Sequence, residues 1–252
     1  MAKQIAVAGK GGTGKTTFTS LLIRYLIEHQ KRPILAVDAD PNANLNETLG
    51  LTLGDTISEI IAQTKAAAGS GLPAGMTQET FIEYKLQSAL METKDVDLIV
   101  MGGPDGPGCY CFPNNILRKQ LENLSENYAY VVMDNEAGME HISRRVTHDI
   151  DILFIVSDSS ARAIRSAGRV NSLVKTLKTH IKEIYLVITK THPGDIATLQ
   201  QEIDATGLTL IGSVPYDAAV MRYDLEGKPL AELPADSAVV TATYEICDKV
   251  KV

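Results

Sequence analysis

The sequence predicts an α/β fold, a doubly wound, mainly parallel sheet with helices on both faces. Three features of its 252 residues predict it. Short, nearly all-apolar runs recur along the chain, as in strands covered on both faces. Stretches with apolar residues at helical spacing alternate with them. A glycine-rich turn joins the first run to the first helical stretch. Right-handed crossovers then imply one sheet.

The elements follow in chain order. Ile5 to Ala8 reads as a strand entering the glycine-rich turn. Phe18, Leu21, Leu22, Tyr25 and Leu26 then give the i, i+3, i+4, i+7, i+8 spacing of a helix. Pro33 opens a second strand, Ile34 to Val37. Further strands are expected at Leu98 to Met101, Tyr130 to Met133, Ile152 to Val156, Ile184 to Ile188 and Leu208 to Ile211. Ile164, Ala167, Val170, Val174 and Leu177 mark a helix after the strand that starts at Ile152. Ala66 to Gly75 is rich in Ala, Gly and Pro, and residues around 64–78 read as a mobile connection within a single domain spanning 1–252.

Composition excludes several functions. Lys plus Arg total 24 against 31 Asp plus Glu, a formal net charge of -7. Nucleic acid and anionic membranes both repel such a surface, so neither is an expected partner. No apolar run approaches the roughly 18 residues of a transmembrane helix. Three cysteines are too few, and odd in number, for a disulfide framework. Without a signal peptide, a reducing cytoplasm is the expected compartment.

Gly9 to Thr17 reads G-K-G-G-T-G-K-T-T, which contains G-x-x-x-x-G-K-[ST] between a strand and a helix. That context identifies a P-loop. Gly9, Gly11, Gly12 and Gly14 let backbone N–H groups turn around phosphate oxygens, with Thr13 between them, and the helix start adds partial positive charge. Lys15 is expected to reach the β- and γ-phosphates, and the Thr16 hydroxyl to ligate Mg2+, with Thr17 beside it. Asp38 and Asp40 leave the second strand and Asp134 leaves another. Carboxylates at the carboxyl ends of parallel strands face the crevice that the P-loop faces. Each could instead be an ordinary helix N-cap. Asp134 reads as the acidic residue that holds Mg2+ directly or through water.

Lys10 is a second lysine that the plain motif does not need. With it, G-K-G-G-x-G-K-T-T resembles the deviant P-loop of the MinD/ParA ATPase class, which includes nitrogenase iron protein. The resemblance implies a homodimer in which Lys10 reaches the phosphates of nucleotide bound across the interface. It places Asp38 by the Mg2+ shell and gives Asp40 the attacking water to orient or deprotonate. Thr189-Lys190 stands after a strand where many relatives carry an adenine-reading Asn. Pro215, in Val214-Pro215-Tyr216-Asp217, occupies the place of a segment that flanks adenine, which favours ATP over GTP.

The segment Gly106 to Pro113, G-P-G-C-Y-C-F-P, is the second informative place. In an extended segment Cys109 and Cys111 lie on one side, poorly placed for a mutual disulfide but able to share a soft metal ion. They could also be core residues. Two thiolates leave a tetrahedral site half filled, and a cysteine pair from a second chain would complete it. Zn2+ fits such a site, and Ni2+ takes thiolate-rich sites of its own geometry. Cys247, in a helix-like tail, reads as core packing, and His141 as a helix-start histidine.

A-V-A-G-K-G-G-T-G-K-T-T, V-D-A-D-P-N-A-N-L, G-P-G-C-Y-C, V-M-D-N-E-A-G-M-E-H-I-S-R-R and I-V-S-D-S-S together resemble the CooC/AcsF ATPases. The likeness runs through about residue 215, and Ser159-Ser160 departs from a Pro usual after the Asp. It implies an ATP-dependent metallochaperone inserting nickel into carbon monoxide dehydrogenase or acetyl-CoA synthase, with ATP hydrolysed to ADP and phosphate. A MinD- or ParA-like positioning ATPase would need a basic membrane-binding tail or DNA-binding face. A reductase resembling nitrogenase iron protein would carry its two ligating cysteines far apart. A nucleotide-switched scaffold with inert cysteines is the remaining class.

Overall fold

In the computed structural model, described for residues 2–70, 75–102, 122–135, 149–176 and 180–252, seven parallel strands form one sheet. They are β1 (Lys3–Gly9), β2 (Ile34–Ala39), β3 (Asp97–Val100), β4 (Tyr130–Asn135), β5 (Asp149–Asp158), β6 (His180–Thr191) and β7 (Thr209–Pro215). Their order across the sheet is β3-β2-β4-β1-β5-β6-β7. The chain therefore winds one way from β1 to β2 and the other way from β5 onward. This reversal is what opens a crevice at the carboxyl ends of central strands.

Period-2 alternation sorts the strand residues into two cores. Ile5 and Val7 of β1, Ile34 and Ala36 of β2, and Ile152, Phe154 and Val156 of β5 face one side. There they meet Phe18, Leu21, Leu22 and Leu26 of α1 (Lys15–Glu28) and Val239, Val240 and Ile246 of the last helix, Ala238–Lys249. Ala6, Ala8, Leu35, Val37, Leu153 and Ile155 face the other side. They pack with Ile57, Ile60 and Ile61 of one helix, Ile57–Ser70, Ile82 and Leu86 of Gln78–Ala89, and Ile164 and Ala167 of Ala161–Val174. Each fully buried Leu or Ile contributes roughly 1.5–3 kcal/mol relative to exposure. Cys247 is fully buried in the first of these cores, as its place in the tail suggested.

Several element boundaries differ from the sequence reading, and two of the differences have clear physical reasons. The connection expected around 64–78 is helical through Ser70 and again from Gln78. The run Ala66-Ala67-Ala68 combines the strongest helix-forming residue with a helix already begun at Ile57, and this outweighs the nearby glycines. The strand expected at Ile184 to Ile188 spans His180–Thr191, because β5 is long enough to pair with it from Asp149 to Asp158.

Among the described residues, no helix is long and apolar enough to cross a membrane.

Candidate functional site: a phosphate loop beside two buried carboxylates

Strand β1 ends where Gly9 presses against β5. A Cβ on Gly9 would collide with the Val156 carbonyl oxygen. The chain then turns through Lys10, Gly11 and Gly12, all exposed, to the buried Thr13. Thr13 closes the turn by donating its hydroxyl to the Lys10 carbonyl at 2.8 Å. Gly14, at φ +83°, hands the chain to α1 in a left-handed conformation that glycine takes without a Cβ penalty. No side chain caps α1, and no acidic residue sits in its first turn. The opening N–H groups thus keep their capacity to bind an anion. Elsewhere Ser160 caps its own helix by accepting from Ala163 N–H, and Asp217 does so from Ala219 N–H. Ser160 therefore has a capping task.

Lys15 is 6% exposed at the start of α1, and Thr16 and Thr17 follow it, half-buried. Asp38 and Asp134 are register partners on β2 and β4, so their carboxylates sit side by side at the strand ends. Both are buried, at 0% and 1% exposure. The Thr16 hydroxyl donates to Asp134 Oδ2 at 2.5 Å. Asp38 is held by the loop that follows it, accepting from Asp40 N–H at 3.0 Å and Leu45 N–H at 2.9 Å. Asp40 is less buried and accepts from the backbone and side-chain amides of Asn42.

Burial pushes the Asp134 carboxyl up to about 7, with Asp38 and Asp40 adding like-charge repulsion against the opposing pull of Thr16 and Lys15. Burial likewise raises Asp38 to about 6 despite its backbone donors. Folding therefore favours the protonated carboxyls. Between pH 4 and 7 the native state holds protons that the unfolded state has released, so stability falls as pH rises through that window and stays lower above it. Asp134→Asn removes one of these charges while its amide oxygen can still accept from Thr16. In magnesium- and nucleotide-free buffer at pH 8 it should raise the melting temperature by about 3–8 °C, for a gain of roughly 1–3 kcal/mol. A melting temperature lowered at pH 8 would contradict this electrostatic account.

The same pair fits a divalent cation. Two desolvated carboxylates and an adjacent hydroxyl are hard oxygen donors that a positive charge would neutralise. Among the described residues no group of three His, Cys, Asp or Glu forms a metal site. Magnesium suits this economy, since it commonly takes one or two carboxylates and completes its shell with phosphate oxygens and water.

Beside the loop, Thr189, Lys190 and Pro215 line a cleft together with Gly14, Phe18, Val214 and Tyr216. The three residues assigned to the base end thus stand together at the edge of the phosphate loop. Cys109, Cys111 and His141 lie outside the described residues. Sequence reasoning missed two contributors. The Thr19 hydroxyl has two acceptors within reach, the Lys15 carbonyl at 2.9 Å and Asp134 Oδ1 at 3.3 Å. Asn135 donates to the Val7 carbonyl at 3.0 Å, tying β4 to the end of β1. The i, i+3 spacing from Thr16 is the signal that could have found Thr19. No sequence pattern separated Asn135 from a polar strand-end residue.

A parallel sheet whose first strand passes through a glycine loop into an uncapped helix, next to paired carboxylates, defines a P-loop ATPase. Residues 5–230 match the CobQ/CobB/MinD/ParA nucleotide binding domain, and the chain belongs to that family. It is 42% identical over 247 residues to an uncharacterized ATP-binding protein of Methanocaldococcus jannaschii, covering 98% of this chain and 97% of the relative. It is 29% identical over 236 residues to the carbon monoxide dehydrogenase accessory protein CooC of Rhodospirillum rubrum, covering 89% and 88%. The solved septum site-determining protein MinD of Pyrococcus horikoshii, complexed with Mg-ADP, shares the fold at a TM-score of 0.70 and 22% identity, covering 99% and 96%.

Proposed function

We propose that this ATPase is a homodimeric metallochaperone assisting nickel insertion into carbon monoxide dehydrogenase or acetyl-CoA synthase. One observation carries the reading. The chain holds the pair Cys109-Tyr110-Cys111 and aligns over most of its length with CooC, itself a carbon monoxide dehydrogenase accessory protein. The whole chain acts as one nucleotide-binding domain, and the cysteine pair from each copy supplies half of a shared thiolate site for Ni2+ or Zn2+.

The placement of the side chains supports the following hydrolytic roles. The loop amides, the start of α1 and Lys15 hold the phosphates. Lys10, exposed at the start of the loop, is available to phosphates bound by a second copy. Thr16, Asp38 and Asp134 would hold Mg2+, which when bound neutralises charge developing on the phosphate oxygens. Asp40, nearer solvent than Asp38, orients the attacking water and accepts its proton. Water attacks the γ-phosphorus, the bond to the bridging oxygen breaks, and ADP and phosphate result. Thr189, Lys190 and Pro215 border the base.

Thiolate sites bind divalent metals tightly, so unloading needs a second input. Nucleotide can supply it by binding two dimer arrangements with different affinity, and hydrolysis then resets the equilibrium. A nickel-free client tests the proposal. Incubation with the nickel-loaded chain and ATP should restore client activity at nickel concentrations where free nickel does not. Restoration that is equally fast without the chain, or without ATP, would contradict it.

A further inference from the structure

The carboxyl end of β6 grips the phosphate loop at two successive carbonyls. The Thr189 hydroxyl donates to the Thr13 carbonyl at 2.6 Å, and the Lys190 ammonium donates to the Gly12 carbonyl at 2.8 Å. A trans peptide points its N–H opposite its carbonyl. Fixing these two oxygens therefore fixes which way the amides of Thr13 and Gly14 face. The grip is built into the backbone of the strand. Lys190 sits at φ +56°, a left-handed conformation uncommon for lysine, and the β6–β7 register shifts between Ile188 and Thr191. The Lys190 carbonyl is itself held, accepting from the Ser159 hydroxyl at 3.1 Å. Thr189 Oγ1 also lies 3.2 Å from the Ser157 carbonyl oxygen, on the β5 side.

We infer that Lys190 is a positioning residue for phosphate binding, bracing the loop through Gly12, and not a reader of the base. The inference rests on the loop holding the phosphates of ATP, as proposed above. Its side chain leaves the strand end toward the loop, so loss of the ammonium should loosen the phosphate cradle whatever base is attached. Thr189, with its hydroxyl engaged on the Thr13 carbonyl, serves the same brace.

Calorimetric titration of the full chain separates the two roles. The probes are ATP and inorganic tripolyphosphate, each with Mg2+, against wild type, Lys190→Met and Lys190→Arg. Lys190→Met should weaken both probes by the same factor, about five- to tenfold, the effect of one charge-assisted hydrogen bond. Lys190→Arg, which keeps a cationic donor, should recover most of the loss. A loss confined to ATP would show base reading and overturn the inference, as would unchanged affinity for both probes. An equal loss that Lys190→Arg leaves uncorrected would mark a merely structural role and overturn it too. Wild type that binds neither probe would instead defeat the nucleotide reading itself.

Discussion

Lys15→Ala should reduce ATP turnover at least about 10²-fold and leave the fold intact. The cost comes from two sources. Lys15 is buried at the start of α1, where water shields little of the residue. A preorganised positive charge facing the phosphates is worth more there than at the surface, and removal of one such donor in other enzymes costs about 10²–10³ in rate. Truncation also removes the Lys15 charge that favours the ionised form of Asp134. The fold survives because α1 is held by Phe18, Leu21, Leu22 and Leu26 in the core, none of which Lys15 supports. Steady-state phosphate release with circular dichroism of the variant checks both halves. Normal turnover would overturn the assignment of the phosphate site.

Cys109→Ser with Cys111→Ser should abolish stoichiometric Ni2+ or Zn2+ binding and leave ATP affinity within about twofold. A serine hydroxyl is a poor ligand for these ions at neutral pH, since it does not ionise as a thiol does. Cys247 cannot compensate. It is fully buried between the last helix and the sheet, and burial pushes its thiol far above the usual range, away from the ligating thiolate. The phosphate loop is built from β1, α1 and the ends of β4 and β6, so the substitutions leave its bracing contacts in place. Metal analysis after gel filtration, alongside calorimetric ATP binding, gives the answer. Unchanged metal content in the double variant would remove the thiolate site from the account.

Much of the fold was legible because burial writes itself into local pattern. Ile34-Leu35-Ala36-Val37 is apolar on both faces since helices cover both sides of the sheet, and Phe18 to Leu26 repeats at helical spacing since one face of α1 is core. The phosphate loop was legible for a different reason. Its spacing is dictated by backbone geometry that glycine alone permits cheaply at Gly12 and Gly14. The side-by-side placement of Asp38 and Asp134 was only partly legible. Both lie at strand ends, but their pairing depends on β4 inserting between β1 and β2, a sheet order that periodicity does not carry. The grip of Lys190 on Gly12 was not legible at all. It joins positions 178 residues apart and depends on a positive φ at a residue whose sequence neighbours give no turn signal. Within the connection read at Ala66 to Gly75, the helix continues to Ser70 because three consecutive alanines override the break that the nearby glycine and proline suggest.

On the proposed function, nucleotide and metal act on one dimer through a shared site. The most direct measurement is anaerobic titration of the metal-free protein with Ni2+ or Zn2+, with and without ATP, while following native mass. The account predicts one metal ion per two chains, a dimer that forms with metal, and a metal affinity that changes when ATP is present. One tightly bound ion on a monomer, or a metal affinity indifferent to ATP, would contradict it.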